Sequence, residues 1–82
     1  MNNRDEIFQK IVDVFEELFE IDPSTIQLES NLYEELDIDS IDAVDLVIEL
    51  RKITGKKIQP DEFKQVRTVE DIVDQIDALL NP

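Results

Sequence analysis

The residues best suited to chemistry lie near the middle of the chain, where Asp37-Ile38-Asp39-Ser40-Ile41-Asp42 brings one hydroxyl together with three carboxylates. Ser40 begins an apolar-periodic segment, and by position it reads as a helix N-cap. The same position has a chemical consequence. A hydroxyl at a helix N-terminus can be esterified to a phosphate whose charge faces the positive end of the macrodipole and its free N–H groups. Asp37, Asp39 and Asp42 would push that phosphate outward into solvent. A calcium loop would need an oxygen ligand at its fifth position, glycine at its sixth and glutamate at its twelfth. Counted from Asp37, those places hold Ile41, Asp42 and Ile48. No dedicated metal site is expected, only loose electrostatic association of divalent ions with the acidic cluster.

The rest of the composition narrows the chemistry. The chain has 82 residues, enough for one domain with one modest core, and residues 1–82 are expected to form it. Cysteine and histidine are absent, which removes thiolate metal sites, disulfides and the commonest general base. The formal charge is −13, and thirteen carboxylates fall between Ile11 and Leu50 without one lysine or arginine. Six of the eight basic residues lie between Arg51 and Arg67. Such a surface repels nucleic acid and anionic lipid and attracts partners with basic patches. No apolar run has the length of a membrane span, and Met1 to Glu6 has no signal-peptide character. A soluble, cytoplasmic monomer that does not insert into membranes is expected.

The elements that must position Ser40 follow from periodicity. Ile7, Phe8, Ile11, Val12, Val14, Phe15, Leu18 and Phe19 recur at the helical period, with Asn3 as cap and Glu6 three residues on. Ile21-Asp22-Pro23-Ser24 breaks that helix. A long connection to about Asp39 follows, pinned by Ile26, Leu28, Leu32, Tyr33 and Leu36. A second helix runs from about Ser40 to Ile53 and stops at Thr54-Gly55. Pro60 opens a short helix, Asp61 to Lys64, and Thr68-Val69-Glu70-Asp71 is a capping box for a last helix carrying Ile72, Val73, Ile76, Leu79 and Leu80. No strand alternation competes, so the fold class is all-α: three main helices, one short helix and a long first loop.

The second helix has two apolar faces. At about 100° per residue, Ala43, Leu46, Val47, Leu50 and Ile53 form an ordinary core stripe. Ile41, Val44 and Ile48 form another roughly opposite, bordered by Asp42, Asp45 and Glu49. Either this second strip is a docking surface or the long loop or short helix covers it as core; the geometry leaves both open. Lys52 projects on the strip's side and Arg51 lies on its far border.

Leu36-Asp37-Ile38-Asp39-Ser40-Ile41-Asp42, with Val44, Leu46, Val47 and Glu49, resembles the acyl carrier protein motif, in which Asp-Ser-Leu opens an acidic amphipathic helix. The similarity extends over nearly the whole chain, through the acidic first helix, the long loop, the Thr54-Gly55 turn and the opening of the last helix. The resemblance implies an acyl-carrier-like bundle and a protein without catalysis of its own. It implies that a phosphopantetheinyl transferase, using coenzyme A and magnesium, attaches a 4'-phosphopantetheine arm to Ser40. The arm's thiol would hold acyl intermediates as thioesters for ketosynthases, acyltransferases and other enzymes of fatty-acid, polyketide or related lipid synthesis that carry basic patches. Asp39, Ile41, Asp42, Val44, Asp45, Ile48 and Glu49 would meet those partners. Leu46, Val47, Leu50, Ile72 and Ile76 are candidates for lining an acyl pocket, with a purely structural role as the alternative.

Three departures stand out. Many family members have glycine where this chain has Asp37 and leucine where it has Ile41, and their second helix often stays acidic where this one ends in Arg51-Lys52. The sequence in this respect looks like a specialised bacterial carrier. An aminoacyl or peptidyl carrier would share the arm and the serine, whereas an adaptor bundle would need no modified serine; the strong acidity favours acyl cargo.

Overall fold

The computed structural model describes residues 3–63 and 65–81. Helix α1 spans Arg4–Phe19, α2 spans Ser40–Thr54 and α3 spans Val69–Leu80, with short 3-10 turns at Pro23–Thr25 and Pro60–Phe63. Among the described residues there is no strand; a single isolated bridge pairs Asn31 with Thr68. The bundle is all-α, as periodicity requires. The short element before α3 is a 3-10 turn that begins at Pro60, and Lys64, expected as its end, lies outside the described residues.

Each helix starts where its cap can satisfy the first N–H groups. Asn3 Oδ1 accepts from Glu6 N at 2.9 Å, and Asn3 Nδ2 donates to Glu6 Oε1 at 3.0 Å. The C-terminal stops differ in quality. Gly55 closes α2 at φ 68°, donating its N–H to Arg51 O, whereas Glu20 closes α1 in the same left-handed region at φ 55°. A side chain there costs about 1–2 kcal/mol, partly offset by glycine's greater freedom when unfolded, about 0.4–1 kcal/mol. Glu20→Gly is therefore expected to raise the melting temperature by a few degrees, measured by thermal circular dichroism; a lower one would show that the Glu20 side chain stabilises the turn.

The core is one cluster. Ile7, Ile11 and Phe15 of α1 meet Leu46, Val47 and Leu50 of α2 and Val69, Ile72, Val73 and Ile76 of α3, all at 1% exposure or less. Helix α1 packs chiefly on α3. The long loop is pinned by Ile26, Leu32 and Ile38, with Leu36 half-buried. Two expected anchors do not serve. Leu28 and Tyr33 are each 38% exposed, and the Tyr33 ring instead lies under the Arg67 guanidinium at 5.8 Å.

What holds the loop is mostly backbone. Val69 N donates to Ser30 O and Glu70 N to Leu28 O, so two loop carbonyls satisfy the first two N–H groups of α3. Thr68 Oγ1 accepts from Asp71 N, and Leu32 N donates to Arg67 O. Ser30 is buried, its Oγ accepting from Gln27 N. The loop and the start of α3 are thus one hydrogen-bonded unit.

Asp71 completes that unit. Its Oδ2 accepts from Arg67 N at 2.9 Å and from Thr68 N at 3.1 Å. The bond from Arg67 N is the main reason its carboxyl titrates below the usual carboxylate range, against a burial effect in the other direction. A depressed folded-state pKa gives stability that is present above the ordinary value of about 3.9 and is lost as pH falls through the folded value. Asp71→Asn should accordingly destabilise by about 1–2 kcal/mol at neutral pH, with the gap to wild type narrowing as pH falls below the ordinary carboxylate value of about 3.9. A gap that persists unchanged in acid would assign the effect to something other than the carboxylate's charge.

Candidate functional site

Ser40 is not the N-cap of α2. Asp39 takes that place, in extended conformation, its Oδ1 accepting from Ile41 N at 3.0 Å and Asp42 N at 2.9 Å, while Asp42 Oδ2 accepts from Asp39 N at 3.4 Å. The reason is electrostatic as well as geometric. A carboxylate completes the reciprocal box and counters the macrodipole, which a neutral hydroxyl at the same place does less well. Ser40 becomes the first helical residue, and its side chain is released to solvent.

Two residues upstream fix the approach. Ile38 is buried and anchors the chain, its N–H donating to Leu32 O at 2.9 Å. Asp37, just before it, adopts φ 54°. That left-handed conformation suits glycine and is tolerated by aspartate, which gives the Asp37 departure from the family pattern a physical meaning: the turn is kept at some cost in strain.

Hydrogen bonding singles Ser40 out. The chain has three serines and three threonines. Ser24 Oγ donates to Asp22 Oδ1, Ser30 Oγ accepts from Gln27 N, Thr25 Oγ1 donates to Asp22 O, Thr54 Oγ1 donates to Leu50 O and Thr68 Oγ1 accepts from Asp71 N. Ser40 Oγ alone has no partner among the described residues. It is exposed, uncommitted and at a helix start. Because Asp39 already occupies the N–H groups of Ile41 and Asp42, a phosphate on Ser40 would find little to bind at the helix end. It would stand out in solvent, leaving an attached chain free to swing.

Beside Ser40 runs the second apolar strip of α2. Ile41 is 73% exposed, Val44 46% and Ile48 44%, so neither the loop nor the Pro60 turn covers it. Asp45 is exposed and Asp42 and Glu49 half-buried along its border. The other face is closed: Leu46, Val47, Leu50, Ile72 and Ile76 come together in the core cluster, each at 1% exposure or less. Ala43 and Ile53, placed with the core stripe by periodicity, are half-buried at its margin.

Arg51, read from the sequence as a border charge, is in fact tied down, its Nε donating to Ile58 O at 2.6 Å. That bond ties the end of α2 to the segment leading to the Pro60 turn. Nothing in the pattern of apolar residues signals it, since the acceptor is a backbone carbonyl seven positions away. Ser30 was missed for a similar reason. Among the described residues no group of three or more carboxylates is arranged to hold a metal ion, and no helix is long and apolar enough to cross a membrane.

With this geometry in view, three comparisons with known proteins agree. Residues 9–76 match the family model described as a phosphopantetheine attachment site. The chain is 52% identical to acyl carrier protein 2 of Ralstonia nicotianae, over 92% of this chain and 93% of that one. It is 35% identical to the acyl carrier protein of Thermotoga maritima over 98% and 99% of the two chains. A solved structure of acyl carrier protein from Enterococcus faecalis superimposes with a TM-score of 0.75 at 28% identity, covering 93% of this chain and 96% of that one.

Proposed function

Since the chain belongs to the acyl carrier protein family and carries its phosphopantetheine attachment domain, we propose that Ser40 is the attachment residue and that the exposed strip of α2 is where its enzymes dock. The family's work is to carry acyl intermediates for fatty-acid biosynthesis, without catalysis of its own, through a 4'-phosphopantetheine arm. It interacts with a phosphopantetheinyl transferase and with acyl-processing enzymes.

The single observation that carries the choice of Ser40 is that every other serine and threonine hydroxyl is engaged in a hydrogen bond. In the attachment step Ser40 Oγ attacks the phosphorus bearing the pantetheine end of coenzyme A. A phosphodiester forms, the pyrophosphate bond breaks, and adenosine bisphosphate leaves while the hydroxyl proton passes to a base of the transferase. The arm then supplies a terminal thiol that holds the acyl group as a thioester. This chain's residues do the rest. Asp39 and Asp42 fix the start of the helix, Ile38 anchors it, and the charge around Ser40 keeps the phosphate in water.

The docking reading rests on Ile41, Val44 and Ile48 being open while Asp42, Asp45 and Glu49 flank them. Partners with basic patches are steered by the carboxylates and held by the apolar strip. Residues 1–82 act as one acyl carrier domain, working as a monomer. Leu46, Val47, Leu50, Ile72 and Ile76 are the lining that an acyl chain would reach by parting α2 from α3. The Arg51-Lys52 end and the left-handed Asp37 support a specialised member of the family. The test is the intact mass of the protein after incubation with coenzyme A and a promiscuous transferase. A gain of one phosphopantetheine, mapped to the peptide containing Ser40, is expected; an unchanged mass would overturn the assignment.

A further inference from the structure

The charge on α2 reverses along the helix. Asp39, Asp42, Asp45 and Glu49 occupy its first part, and Lys52, with Lys56 and Lys57 just past its glycine stop, occupies the end. Cations at a helix C-terminus complement the macrodipole, and that ordinary role must be weighed first. It accounts for Arg51, whose side chain is tied to Ile58 O. It does not account for Lys56 and Lys57, which lie beyond the helix and are exposed. In a chain with 21 carboxylates, neither of these lysines forms a salt bridge among the described residues. Lys52 has a side chain 70% exposed and meets Glu49 only at 3.9 Å. On the helical wheel it falls between Ile48 and Asp45, so it continues the apolar strip instead of the core stripe.

Distance decides whether a partner senses one charge or two. Glu49 is paired with Lys52 and belongs to the boundary between the two ends, whereas Asp42 and Lys52 are about 15 Å apart along the axis, and the screening length at physiological salt is about 8 Å. The acidic and basic ends therefore act as separate anchors.

We propose that α2 is a bipolar docking face, its basic end of Lys52, Lys56 and Lys57 taking an acidic patch on the partner enzyme and disfavouring enzymes whose docking rim is basic throughout. This rests on the reading of α2 as the docking helix. Repulsion at one end costs a wrong partner its orientation even when the other end is attractive.

The test uses the holo protein and, as probe, a bacterial fatty-acid ketosynthase with a uniformly basic docking rim, measuring KM and kcat for acyl transfer. Lys52→Glu with Lys56→Glu and Lys57→Glu should lower KM about fivefold at low salt, leave kcat unchanged and lose its advantage in high salt. The corresponding glutamine variant should fall between. Changing the rim cation that faces this end to glutamate should reverse the preference, favouring wild type. Melting curves of each variant verify that the fold is intact. Asp45→Lys is the control for the underlying reading and should raise KM. If Asp45→Lys raises KM and the lysine variants leave it unchanged, the bipolar face is overturned and the docking helix stands. If neither changes KM, both fall.

Discussion

Ser40→Ala is expected to gain no mass at all with coenzyme A and transferase, while melting within about 0.5 kcal/mol of wild type. The separation of these two effects follows from where Ser40 sits. Had it been the N-cap, its replacement by alanine would have cost about 1 kcal/mol and confused loss of the site with loss of the helix start. Asp39 does the capping, through Ile41 N and Asp42 N, and stays in place in the variant. Ser40 Oγ has no partner to lose among the described residues, and alanine is a better helix former. Intact mass and thermal circular dichroism on the same sample provide the two readings. Residual modification of Ser40→Ala would direct attention to Ser24, the other exposed serine, whose hydroxyl would first have to leave Asp22.

Ile72→Ala should destabilise the unacylated protein by about 3 kcal/mol, within the range for removing a buried branched side chain without refilling its space. A domain of this size has about 4–12 kcal/mol in all, so the melting temperature should fall by about 10 °C or more. Ile72 is fully buried in the core cluster, on the helix that packs chiefly on α1, which leaves the site little room to collapse. The same variant tests the acyl pocket. If a medium-length acyl chain enters between α2 and α3, it can fill the space left by Ile72, at about 0.8 kcal/mol for each methylene buried. Acylation should then raise the melting temperature of Ile72→Ala more than that of wild type. Leu79→Ala, on the half-buried margin of α3, should show no such extra gain. Equal gains in all three proteins would place the acyl chain outside this lining.

The periodic apolar residues determined the helices, because a 3.6-residue repeat has one way to bury its stripe, and the cap residues Asn3, Thr68 and Gly55 marked ends that depend only on neighbours in the chain. Ser40 and the acidic face of α2 were legible for the same reason: the motif and its charge are contiguous. Tertiary structure decided what depends on distant partners. Periodicity placed Ile41, Val44 and Ile48 on one strip but could not say whether the loop would cover it; the loop turned instead to α3, giving its Ser30 and Leu28 carbonyls to Val69 and Glu70. Backbone carbonyls are present at every residue and carry no sequence signature, so the ties to Arg51 and α3 were invisible beforehand. The choice of Asp39 over Ser40 as cap was local yet close. It was settled by the reciprocal bond from Asp42 and by the better match of a carboxylate to the helix dipole, and it is that choice which left the serine hydroxyl free.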